Sequence, residues 1–146
     1  MAVAERTATT IWSGTLTGGK GELTGNSGAI TQLPVTWASR TEQPDGMTSP
    51  EELAAAAHAS CFSMALALKL GESHVVPERL EVSATVTLDE VGGVPTIVSS
   101  AVSVRARVPG IDNSRFQDVV KEAAALCPVS RLFAGAAIDV KAELEG

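Results

Sequence analysis

Apolar and small residues fill almost every position from 50 to 70, whereas the segments on either side alternate between apolar and polar. The unbroken run reads as a helix with complete start signals. Ser49 suits the N-cap, Pro50 the first helical position, and Glu52 closes a capping box with Ser49. Lys69 in the last turn and Gly71 just beyond it are stop signals. A helix that is apolar round its whole circumference belongs at the centre of a domain. After a connection over 72–77, residues 80–89 set Leu80, Val82, Ala84, Val86 and Leu88 against Glu81, Ser83, Thr85 and Thr87, a half-buried strand of period two. Residues 96–108 form a long partner strand, ended by Pro109-Gly110. Asp112 caps a second helix running to Leu126, with Phe116, Val119, Val120, Ala123 and Cys127 on one stripe. Cys127-Pro128 breaks that helix, 130–134 forms a turn or short helix, and 137–144 alternates as a last strand.

The first third of the chain is a meander. Residues 7–16, rich in Thr, Ile and Trp, read as a strand, 22–24 as its short return, and 30–37 as a third strand in which Pro34 marks an edge or a bulge. Residues 40–48 are a polar loop leading to the long helix. The order βββ-α-ββ-α(α)-β, without repeats, gives an α+β fold of antiparallel strands covered by helices, in one domain spanning 1–146. One modest sheet cannot cover every side of the central helix, and its many alanines allow another helix to approach closely. A symmetric dimer is therefore expected.

Composition narrows the function. A formal net charge of −6, with 11 Lys and Arg scattered singly, opposes non-specific binding to nucleic acid. Two Trp, three Phe and no Tyr leave little for base stacking. The first residues lack a basic region and an apolar region, so no signal peptide is read and a cytoplasmic protein is expected. The helical run is long enough for a membrane span, but His58, Ser60, Ser63 and Lys69 interrupt it and Ala dominates, so a buried soluble helix and no membrane partner are expected. The Gly18-x-x-Gly21 cluster lacks the Gly-Lys-Ser/Thr and helix pattern of a phosphate loop and reads as a hairpin turn.

Two cysteines in a cytoplasmic chain are not a disulfide scaffold. Both could be small buried apolar residues. The two Cys and two His lack the close spacings that zinc favours, so no metal site is expected. A Cys–His hydrolase would need His58 or His74 as base, and no third orienting residue is evident.

The residues Ser49-Pro50-Glu51-Glu52-Leu53-Ala54-Ala55-Ala56-Ala57-His58-Ala59-Ser60-Cys61-Phe62-Ser63-Met64-Ala65-Leu66, followed by Cys127-Pro128-Val129-Ser130, resemble the osmotically inducible protein C and organic hydroperoxide resistance (OsmC/Ohr) family. The likeness extends to the three opening strands, to Arg40 ahead of the helix, and to Val108-Pro109-Gly110-Ile111-Asp112 ahead of the next one. The wording around Cys61 and the placing of Arg40 look more like the OsmC branch. The resemblance implies an intertwined α+β homodimer with two central helices and sites at the subunit interface. It implies a thiol peroxidase that acts on organic hydroperoxides in preference to hydrogen peroxide, without cofactor or metal, and is recycled by an external dithiol. Carried onto this chain, it makes Cys61 the peroxidatic cysteine, Cys127 the resolving cysteine, and Arg40 and Glu51 the activating pair. The rival functions on the same scaffold are a redox-sensing or thiol-binding module and a Cys-dependent hydrolase.

Elementary chemistry suits these roles. The thiolate attacks the O–O bond, and burial in an apolar helix raises a thiol's pKa, so a cation is needed nearby. Arg40 never deprotonates and Glu51 can hold its guanidinium by a two-point contact. Glu52 has the capping box to serve, whereas Glu51 has no structural task that strong. Ten residues of helix, about 15 Å, separate Glu51 from Cys61. They can cooperate if Arg40 bridges a bent path or if Glu51 serves Cys61 of an antiparallel partner helix, and the second is the expectation. His58, one turn before Cys61, reads as a packing histidine.

Overall fold

The structure is a computed structural model that describes residues 2–145. The chain divides into two compact units, Met1–Leu53 and Ala54–Gly146.

In the first unit, β1 (Ala8–Ser13), β2 (Lys20–Gly25) and β3 (Leu33–Val35) form an antiparallel sheet in the order β1-β2-β3. Pro34 thus sits on an edge strand, where its missing N–H costs no ladder bond. Gly21 pairs with Trp12 on one side and Val35 on the other, and a Cβ there would come within 2.8 Å of Val35 and 2.9 Å of Trp12. Only glycine lets the indole lie against the strand.

A helical turn that was not expected, α1 (Trp37–Thr41), takes the end of the expected third strand and the first two residues of the expected loop. Thr36 and Ser39 cap it reciprocally, each side chain taking the other's backbone N–H at 3.0 and 2.9 Å. This box was hidden because the segment is too short to show a period. Ser39 Oγ then donates to the Thr48 carbonyl at 2.9 Å, pinning the end of the following loop.

The long helix, α2, spans Pro50–Glu72. The Glu52 N–H donates to Ser49 Oγ at 3.1 Å, as the cap predicted, but the Glu52 carboxylate takes the Thr48 hydroxyl at 2.6 Å. Gly71 does not stop the helix, which continues through it. The left-handed residue is His74, at φ 59°, and the N–H groups of His74 and Val75 close back onto the carbonyls of Gly71 and Leu70. A Schellman ending fixes three residues later than the glycine suggested because Leu70 and Val75, its apolar clasp, both join the core.

In the second unit, β4 (Arg79–Val91) and β5 (Val94–Arg107) pair antiparallel, with a register shift at Thr87/Leu88. The chain then forms α3 (Asn113–Leu126), capped by Asp112 as expected, α4 (Pro128–Leu132) and β6 (Ala137–Leu144). An all-antiparallel arrangement was expected, yet β6 lies parallel to β5. The helical connection α3–α4 carries the chain back to the starting end of β5, and a crossover of that length permits a parallel partner. The core joins Phe62, Leu66 and Leu70 of α2 to Val102, Val104 and Ala106 of β5 and to Phe116, Val119 and Ala123 of α3. His58, Phe62, Leu66 and Leu70 recur every four residues and are wholly enclosed, which makes α2 one-sided within the unit. Met64 and Leu68, on other faces, are 74 % and 55 % exposed.

Candidate active site

Arg40 lies in the last turn of α1 and Glu51 in the first turn of α2, and the short intervening loop brings them together. The guanidinium grips the carboxylate in a fork: Nε lies 2.9 and 3.2 Å from the two Glu51 oxygens and Nη2 lies 2.8 Å from Oε2. Nη1 takes no part in this pair. Such two-point, charge-assisted contacts fix direction as well as distance. Glu51 is buried, and its place in the first turn of α2 favours its charge. The Glu51 hydrogen bond raises the Arg40 pKa further, against a smaller opposing effect of burial. Arg40 also lies 5.9 Å over the Trp37 ring and lines a cavity of about 350 Å³. The other walls of that cavity include Trp12, Leu16, Leu23, Val35 and Leu53, all apolar. It is therefore a greasy recess with one cation.

The second unit holds both thiols. Cys61 is half-buried on α2, Cys127 is fully enclosed where α3 gives way to α4, and both are reduced. They are close enough to perturb each other's ionisation. Burial pushes the Cys61 thiol up from its ordinary value, the Val129 N–H opposes this, and the neighbouring Cys127 adds to it. For Cys127, burial also pulls upward but is outweighed. The Ser130 hydroxyl and N–H, the Cys61 thiol and the Val129 N–H together leave its thiol below the ordinary value. None of the N–H groups closes a regular capping bond to the sulfur. Two adjacent thiols titrate as a pair, and the apparent values belong to the pair rather than to either residue.

The structure thus joins Arg40 to Glu51 and Cys61 to Cys127, in separate compact units. Sequence reasoning passed over His58 as a packing residue. Its ring is wholly buried, with Nδ1 2.6 Å from Ser100 Oγ and Nε2 2.8 Å from Ser130 Oγ. The Phe133 ring meets it edge-on at 5.3 Å. A histidine on the apolar Phe62–Leu66–Leu70 stripe is a signal that buried partners await it. Those partners lie 42 and 72 residues away, beyond the reach of periodicity. Among the described residues no cluster of His, Cys, Asp and Glu could hold a metal ion.

Residues 43–143 match the family model described as OsmC-like protein. The chain is 43 % identical over 121 residues to peroxiredoxin OsmC of Escherichia coli (strain K12), covering 83 % of this chain and 84 % of that one. It is 33 % identical over 107 residues to the organic hydroperoxide resistance protein OhrA of Bacillus subtilis (strain 168), covering 72 % of each. The crystal structure of the organic hydroperoxide resistance protein OhrB of Bacillus subtilis superposes with a TM-score of 0.68 at 27 % identity, over 95 % of this chain and 98 % of the other.

Proposed function

The chain belongs to the OsmC-like protein family, and on that premise we propose how its residues carry out hydroperoxide reduction. The protein is a thiol peroxidase that detoxifies hydroperoxides. Cys61, as thiolate, attacks the terminal peroxide oxygen. The O–O bond breaks, the alcohol leaves with a proton, and Cys61 becomes a sulfenic acid. Cys127 condenses with it to a disulfide and water, and an external dithiol reopens the disulfide by exchange. The observation that carries this reading is the pairing of two reduced thiols, one half-open and one enclosed, within one unit.

Burial, with the neighbouring Cys127 adding to it, raises the Cys61 pKa, so its thiolate needs a cation. Arg40, clamped by Glu51, is that cation, and its free Nη1 is available to orient the peroxide. Ten residues of chain separate Glu51 from Cys61, a spacing worth about 15 Å in helical form. The Arg40–Glu51 pair therefore serves Cys61 of a second, antiparallel copy, and the working unit is a cytoplasmic homodimer. Organic hydroperoxides are preferred over hydrogen peroxide, because an apolar recess binds a tail by buried area.

The test is peroxide consumption with cumene hydroperoxide and with hydrogen peroxide. Cys61→Ser abolishes it. Cys127→Ser completes one turnover and then accumulates over-oxidised Cys61, read by mass. Full activity in Cys61→Ser overturns the proposal. Ester turnover that survives Cys127→Ser, without peroxide consumption, identifies a hydrolase instead.

A further inference from the structure

Ser39 stands next to Arg40 in the chain and is enclosed, at 5 % exposure. Its hydroxyl oxygen accepts the Thr36 N–H at 2.9 Å, the return half of the α1 cap, and donates across the loop to the Thr48 carbonyl at 2.9 Å. A hydroxyl has one proton to give. The Thr36 carbonyl is also 2.9 Å away, but it already takes the Arg40 N–H at 3.2 Å, so Thr48 is the better recipient. The Thr48 N–H in turn donates to the Pro34 carbonyl at 3.0 Å. Residues 41–46, which lie between, are all exposed, and Asp45 and Gly46 turn the chain at φ 48° and 80°. The loop is thus closed at its base rather than along its length.

That base carries the site. Arg40 follows Ser39 directly, Glu51 comes three residues after Thr48, and all four belong to the first unit. The third helical position of a capping box is usually Glu or Gln, whose longer side chain reaches back to the cap. A glutamate there would accept the Thr36 N–H but could not donate to Thr48. Serine does both with a single oxygen, which is more than capping a five-residue turn requires.

We propose that Ser39 is a positioning residue for hydroperoxide reduction: it staples α1 to the start of α2 at Thr48, so that Arg40 meets Glu51 squarely and presents its remaining Nη1 in a fixed direction. This rests on the role of Arg40 given above. Ser39 acts only through Arg40. Without the hydroxyl, an exposed loop is left to hold α1 against α2, and the helical turn is free to swing. The fork tolerates that poorly, because bonds of 2.9 and 2.8 Å from two nitrogens fix angles as well as lengths. Trp37, whose ring lies 5.9 Å from the guanidinium, rides on the same turn and cannot correct the aim. Water is a poor substitute at the Thr48 carbonyl, since Thr48 is itself only 8 % exposed.

The experiment is a double-mutant cycle of Ser39→Ala and Arg40→Lys in the full-length protein, with kcat/KM for cumene hydroperoxide as the readout and circular dichroism as the check of folding. In the wild-type background Ser39→Ala lowers kcat/KM by about tenfold. In the Arg40→Lys background, where no fork is left to aim, it lowers kcat/KM by less than about twofold. A merely structural role gives the same loss in both backgrounds, and that result overturns the proposal. So does a loss below about twofold in the wild-type background. If Ser39→Ala does not fold, Ser39→Cys decides by the same comparison, since a thiol fills the site but donates only weakly. Unaltered activity in Arg40→Lys removes Arg40 from the reaction and this proposal with it. Full activity in Cys61→Ser is a different failure, which overturns the peroxidase reading itself.

Discussion

Glu51 and Glu52 are neighbours with different tasks, because successive helical positions point about 100° apart. Glu52 is exposed and takes the Thr48 hydroxyl, while Glu51 is buried and holds Arg40. The sequence separated the two by asking which one the cap already used. A fork of charge-assisted bonds contributes about 1.5–3 kcal/mol per charged hydrogen bond, so losing its geometry matters. Arg40→Lys keeps the charge and loses the fork, and kcat/KM for cumene hydroperoxide should fall by about 10- to 100-fold. A change below about twofold would remove Arg40 from the reaction. At His58 the pKa is depressed in the folded protein, so below its ordinary 6.5 the unfolded chain binds a proton that the folded one refuses. Its contribution to stability is complete above that value and is lost as pH falls. Melting temperature measured from pH 7 to pH 5 should decline, and His58→Gln should flatten part of the slope. An equal slope in the variant contradicts the assignment. The residue type was readable in the sequence, but not its partners, because Ser100 and Ser130 reach it only through folding.

Among the elements, α2 was the most legible and its end the least. Pro50 at the start matches, whereas the helix runs two residues past the expected end, to Glu72. Glycine permits a left-handed cap but does not compel one, and the choice fell to the residue that lets Leu70 and Val75 meet. His74 therefore carries φ 59° at an exposed site. His74→Gly removes that strain, partly offset by the greater freedom of glycine when unfolded, and should stabilise by about 0.5–1 kcal/mol. For a chain of this size that is a rise in melting temperature of about 2 °C, read by calorimetry. A fall would show that the imidazole has a task at the cap. Inside the same helix, Phe62 is fully enclosed, and Phe62→Ala should cost about 3–5 kcal/mol in denaturant unfolding. The α1 turn and the parallel direction of β6 escaped the sequence for different reasons. The first is shorter than any hydrophobic period, and the second depends on where a crossover returns.

At the scale of the whole molecule, α2 buries the His58–Phe62–Leu66–Leu70 stripe and leaves Met64 and Leu68 in solvent. An apolar helix with an open side fits the proposed homodimer. Light scattering should then give about twice the 15.0 kDa chain mass, and Leu68→Glu should shift the mass toward one chain while lowering peroxidase activity. A wild-type mass of one chain, with full activity, would end the proposal that the partner copy supplies Arg40 and Glu51. By itself, the sequence determined the element types apart from α1, the capped start of α2 and the stripe of α3, and it offered four residues for chemistry. These follow from local rules of propensity, period and capping, and from a long motif around Cys61. Only the tertiary structure decided that Arg40 grips Glu51 with two nitrogens, that Cys127 is enclosed beside Cys61, and that His58 bridges Ser100 and Ser130. The reason is physical. A hydrogen bond is fixed by angles and tenths of an ångström, and those are set by packing between segments far apart in the chain.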